Sequence, residues 1–116
     1  MYQSAYQDIL EAAPSESRRS EREALLYAVD LLKAAELKGP RSNESVTALL
    51  FVRRLWTFLV EQLAQPGNPL PNDVRAKLIS IGIWVLGEEE KIRTGQSADY
   101  ASIADITGTI ASGLKS

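Results

Sequence analysis

Three clusters of turn-forming residues fix how this chain can be laid out: Gly39-Pro40, Pro66-Gly67-Asn68-Pro69-Leu70-Pro71 and Thr94-Gly95-Gln96-Ser97. Proline lacks the N–H that a helix interior needs and glycine lacks the steric bias that holds a helix on course, so each cluster is a break. Between the breaks, apolar residues recur at intervals of three and four, the period of an α-helix with one buried face. From Ser20 to Lys38 the residues Leu25, Ala28, Val29, Leu32 and Ala35 share a stripe, and Gly39-Pro40 ends it. Its start is open between Ser15 and Ser20, since either serine can cap a helix, with Pro14 closing the segment before it.

The next stretch opens at Ser42 or Asn43 and runs to Pro66, with Val46, Leu49, Leu50, Trp56, Leu59, Val60 and Leu63 at helical spacing and Arg53 interrupting the face. A third begins at Asn72 or Asp73, where Asp73 and Arg75 support its first turn. It carries Val74, Leu78, Ile81, Trp84 and Val85 on one stripe, widened by Ile79, Ile83 and Leu86 until the helix is nearly apolar all round. Such a helix is expected at the centre of a bundle, with Leu55, Trp56, Leu78, Ile81 and Trp84 as core. A buried strand over Leu78 to Leu86 is the alternative, on its β-branched content. Gly82, inside this stretch, reads as a place where a neighbouring helix comes close.

Tyr2, Tyr6, Ile9, Leu10 and Ala13 share one face of a short N-terminal helix, and Ile103, Ile106, Ile110 and Leu114 form a stripe on a C-terminal one capped by Ser97 or Asp99. Thr107, Gly108, Thr109 and Gly113 are poor helix formers, together costing on the order of 2 kcal/mol against alanine, so this last helix must depend on packing. The expected fold is all-α: a single compact bundle of about five helices with short N- and C-terminal helices, residues 1–116 forming one domain.

Composition narrows the chemistry. The 116 residues include no cysteine and no histidine, which removes thiolate and imidazole as nucleophile, base or metal ligand. Glu88-Glu89-Glu90 does not replace them, because adjacent helical positions diverge by about 100° and Lys91 and Arg93 follow, so the run reads as a solvated face. No catalytic role, cofactor or metal is expected. The formal charge of −2 offers a polyanion no long-range attraction. Arg18, Arg19 and Arg22 are diluted by Glu16, Glu21 and Glu23, and Arg53-Arg54 stands alone, so direct nucleic-acid contact is disfavoured. No apolar run approaches the roughly 18–20 residues that span a bilayer, and the start has no basic then apolar leader, so a cytoplasmic protein is expected. Periodicity leaves open whether the bundle is closed or presents a groove to an amphipathic partner helix.

Particular motifs point further. Leu55-Trp56-Thr57, then Asn68-Pro69-Leu70-Pro71-Asn72-Asp73-Val74-Arg75-Ala76 leading into the apolar helix through Trp84-Val85, resembles the FlaF family of flagellar biosynthesis regulators of alphaproteobacteria. Tyr2-Gln3-Ser4-Ala5-Tyr6, Arg22-Glu23-Ala24 and the terminal Ile106 to Leu114 segment fit the same pattern, so the resemblance covers almost the whole chain. Two positions depart from it. Val52 stands where the family usually has Asn, and Thr107-Gly108 where it usually has Asn-Arg, which leaves any role of those positions in helix pinning or partner contact in question. The resemblance implies a cytoplasmic accessory protein that binds flagellin as a secretion chaperone and promotes flagellin synthesis and filament assembly alongside FlbT. The alternative it leaves is a post-transcriptional regulator of flagellin mRNA, acting with FlbT or by direct RNA contact. Flagellin's terminal segments are amphipathic helices, and the candidate contacts for them are the two terminal stripes: Tyr2, Tyr6, Ile9 and Leu10, with Ile103, Ile106 and Ile110.

Overall fold

In the computed structural model, which describes residues 14–114, four α-helices follow one another: α1 (Pro14–Lys38), α2 (Asn43–Ala64), α3 (Asn72–Arg93) and α4 (Tyr100–Gly113). The expected count of about five is corrected to four among the described residues, and the N-terminal stretch with Tyr2, Tyr6, Ile9 and Leu10 lies outside them. The all-α reading holds. The segment from Leu78 to Leu86 is helical throughout, which disposes of the strand alternative.

Each break works through its backbone. Gly39 takes φ +96°, its N–H donates to the Ala35 carbonyl at 2.8 Å, and α1 stops there. Ser42 is the N-cap of α2: its hydroxyl accepts the Ser45 N–H at 3.1 Å and donates to the Gly39 carbonyl at 2.7 Å, joining two helix ends. Gly95, at φ +82°, closes α3 in a Schellman motif, with Gln96 N–H on the Lys91 carbonyl and Gly95 N–H on that of Ile92. Asp99 caps α4 by accepting the Ser102 N–H at 3.1 Å and its hydroxyl at 2.6 Å.

Two starts differ from expectation. α1 begins at Pro14, earlier than either serine, because proline in a first turn forfeits only an N–H that has no intrahelical partner there. α3 has Pro71 at its N-cap with no side-chain cap bond, and the Pro71 carbonyl receives the Arg75 N–H at 3.0 Å; Asn72 and Asp73 are already helical. Asp73 then places a negative charge in the first turn, where the helix dipole favours it.

α1 packs along α2 and along α4, and α3 packs along α2 with a slight contact to α4. The backbones of α1 and α3 are not adjacent. The core comprises Leu25, Ala28, Leu32 and Ala35 of α1, Val52, Leu55, Trp56 and Leu59 of α2, Val85 and Ile92 of α3, and Tyr100, Ile103 and Ala111 of α4. Across it, two buried hydrogen bonds pin α4 to α2. The Ser45 and Tyr100 hydroxyls lie 2.6 Å apart, and the Trp56 indole N–H donates to the Thr107 hydroxyl at 3.3 Å. An indole buried to 1% exposure needs such an acceptor, and Thr107, one of the positions departing from the family pattern, supplies it.

The place of α3 corrects the sequence reading. It lies at the side of the bundle, with α2 as its main neighbour, so a helix apolar nearly all round has one face packed and another in solvent. Trp84, expected in the core, is 43% exposed, and Ile83 beside it is 60% exposed. Leu78 and Ile81 are half-buried rather than central. Glu89, expected on a solvated face with its neighbours, is instead buried, its carboxylate accepting from Arg93 Nε at 2.9 Å. Gly82 does what its position suggested: a Cβ there would collide with Val60 Cγ2 and stand 3.2 Å from Trp56 Cε3, so its absence lets α3 seat directly on α2.

Candidate partner-binding surface

The elements converge on an apolar cavity at one end of the bundle. Leu25 comes from the middle of α1, Trp56, Leu59 and Leu63 from the second half of α2, Leu78 from α3, and Ile110 and the capping Leu114 from the end of α4. The cavity has a volume of about 110 Å³ and is partly open to solvent; Glu21, Gln62 and Asn68 supply its polar lining. That space matches one large aliphatic or aromatic group, the size of a knob presented by a partner helix.

The loop from Pro66 to Pro71 shapes one side. Asn68 Nδ2 donates to the Gln62 carbonyl at 3.1 Å, tying the loop to the end of α2, and Asn68 Oδ1 accepts the Leu70 N–H at 3.0 Å. This side-chain turn holds Leu70 at the cavity, 39% exposed. The Asn-Pro-Leu-Pro motif therefore has a local physical task. Its asparagine fastens the loop, its prolines stiffen it, and its leucine becomes part of the apolar lining.

The site residues expected from sequence separate in space. Ile110 lines the cavity, and Ile106 is half-buried against the core. Ile103 is fully buried among the core residues, so in this conformation its side chain supports the fold instead of facing a partner. A stripe read on a short helix cannot distinguish its inner part from its rim. Sequence reasoning missed Leu59, Leu63, Leu70 and Leu78 as lining residues, although Leu70 within its proline motif was the available signal. Nor did it place Ile83 and Trp84 on the outward side of α3.

Arg75 Nε is buried in the first turn of α3 without a hydrogen-bond partner. Among the described residues no group of three or more histidine, cysteine, aspartate or glutamate side chains is placed to hold a metal ion, and no helix is long and apolar enough to cross a membrane.

The family model for the flagellar protein FlaF matches residues 2–114. The chain belongs to the FlaF family. That match takes in the tyrosine-containing N-terminal stretch, all four helices and the Asn-Pro-Leu-Pro loop at the cavity. No individual curated protein and no solved structure gives a significant match. Membership places the chain among flagellar proteins, and its all-α bundle is the scaffold on which a FlaF function has to be read.

Proposed function

We propose that this chain is a flagellar assembly factor that binds flagellin in the cytoplasm as a secretion chaperone and promotes flagellin synthesis and filament assembly. The observation that carries the reading is the cavity ringed by the four helices and the Asn-Pro-Leu-Pro loop, in a member of a flagellar family. A chaperone for an unassembled filament subunit has to cover amphipathic helices that would otherwise polymerise. An apolar socket with a polar edge takes the apolar stripe of such a helix and leaves its polar face in water. The work is non-covalent binding with no catalytic step, in keeping with a chain that lacks cysteine and histidine. Partnership with FlbT, linking chaperone occupancy to flagellin synthesis, belongs to the same proposal.

Leu70→Asp tests the socket, because it places a charge at the cavity from an exposed loop position without touching the core. The variant should keep wild-type helicity and thermal stability and lose flagellin in a co-purification that the wild type passes. Retained flagellin binding by a folded Leu70→Asp would remove the socket from the account. Incubating the purified chain with the flagellin 5′ untranslated region separates the regulatory alternative: binding without added protein, and weakening steeply with salt, would favour direct RNA contact.

A further inference from the structure

The outward face of α3 carries an apolar patch, Ile83 and Trp84, that lies away from the cavity's lining. Its exposed positions include Asp73, Lys77, Ser80, Trp84, Gly87 and Lys91, alternating in steps of four and three, with Ala76, Ile83 and Glu90 alongside. These positions form one stripe along the helix, apolar at its centre and charged toward both ends. Its centre holds a large aromatic, 43% exposed, beside an isoleucine 60% exposed, and the positions one turn away on either side are small, Ser80 and Gly87. A Cβ at Gly87 would meet nothing within 4 Å, so no contact within the described chain requires glycine there.

We propose that this face binds a second copy of the same chain, α3 against α3 in antiparallel orientation about a two-fold axis beside Ile83 and Trp84. The charges select this occupant. In the antiparallel register that sets Ile83 opposite Trp84 of the second copy, Ser80 falls opposite Gly87 and Lys77 opposite Glu90. Symmetry repeats each pair, giving two Lys77–Glu90 contacts that flank an apolar centre. Neither the Lys77 nor the Glu90 side chain has an ion-pair partner among the described residues, whereas Lys91 and Arg93 are engaged by Glu88 and Glu89 at 3.0 and 2.9 Å. A parallel arrangement would instead set Lys77 against Lys77 and Glu90 against Glu90. The small residues let the helices approach, and each indole, leaning toward the start of its own helix, lies over Gly87 of the other copy.

α3 is about 33 Å long, and one helix face of that length falls at the small end of specific interfaces, so the dimer should form reversibly at micromolar concentration. This inference does not depend on flagellin binding. The test is sedimentation velocity of the full chain from about 5 to 200 µM, a range suited to a small interface. The wild type should shift from monomer toward dimer across the range. Lys77→Glu and Glu90→Lys should each weaken association by about tenfold or more, since each sets like charges opposite one another twice. The two changes combined should restore association to near the wild-type constant. Trp84→Ala should keep its circular dichroism and remain monomeric. A wild type that stays monomeric at the highest concentration would overturn the proposal, as would a combined variant no better than either single one.

Discussion

At the scale of single residues, the two tryptophans divide the molecule. Trp56 is 1% exposed with its N–H on Thr107, and Trp84 stands 43% exposed on the outer side of α3. Trp56→Ala should therefore cost about 3–5 kcal/mol in urea-induced unfolding, the range for a buried aromatic, and Trp84→Ala about 1 kcal/mol or less. Equal losses would contradict the placement of α3. Thr107→Val keeps the shape and removes the acceptor, leaving a buried indole N–H unpaired at a cost of about 1–3 kcal/mol by the same measurement. Both tryptophans occupy apolar stripes in the sequence, and periodicity cannot say which stripe faces the core when a helix is apolar on more than one side. The Trp56–Thr107 bond was equally hidden, because it joins residues 51 positions apart.

At the scale of elements, most of the helix boundaries could be read in advance, because they are set by local chemistry. Gly39 and Gly95 with positive φ, Ser42 and Asp99 as caps, and the proline loop each act within a few residues of their own position. Asp99 adds a pH signature: hydrogen bonds from the Ser102 hydroxyl and then its backbone N–H hold its carboxyl below the usual value of 3.8. A depressed folded pKa stabilises the folded state above the unfolded pKa, and the contribution disappears as pH falls through the folded one. Amide exchange at Ser102 should thus accelerate as pH drops below about 4 relative to the intrinsic rate. In Asp99→Asn, whose side chain still accepts but does not titrate, that acceleration should vanish. The α3 glycines make a second pair. Gly82→Ala should destabilise by about 1–3 kcal/mol, because its methyl meets Val60 and Trp56, and thermal unfolding measures it. Gly87→Ala, with open space around it, should stabilise by about 0.5–1 kcal/mol in the same assay.

At the scale of the whole molecule, the all-α class followed from the spacing of apolar residues, but the seating of the helices did not. Which helix occupies the middle depends on contacts between distant segments. α1 packs on α2 and α4, α2 packs on α1 and α3 and reaches α4 through two buried hydrogen bonds, and α3, with only a slight contact to α4, is left at the side with Ile83 and Trp84 uncovered. The cavity was illegible for the same reason, since its lining gathers residues from Leu25 to Leu114 that only the fold brings together. Of the terminal residues singled out in advance, Ile110 reached it and Ile103 went to the core. The 45% hydrophobic content is thus divided between an interior and surfaces available to partners. The central claim, that one of those surfaces holds flagellin's terminal helices, is tested most directly by co-purifying this chain with intact flagellin and with flagellin lacking its terminal segments. The account predicts capture of the intact protein at micromolar concentration and loss of capture on truncation; failure to bind either form, or equal binding of both, would contradict it.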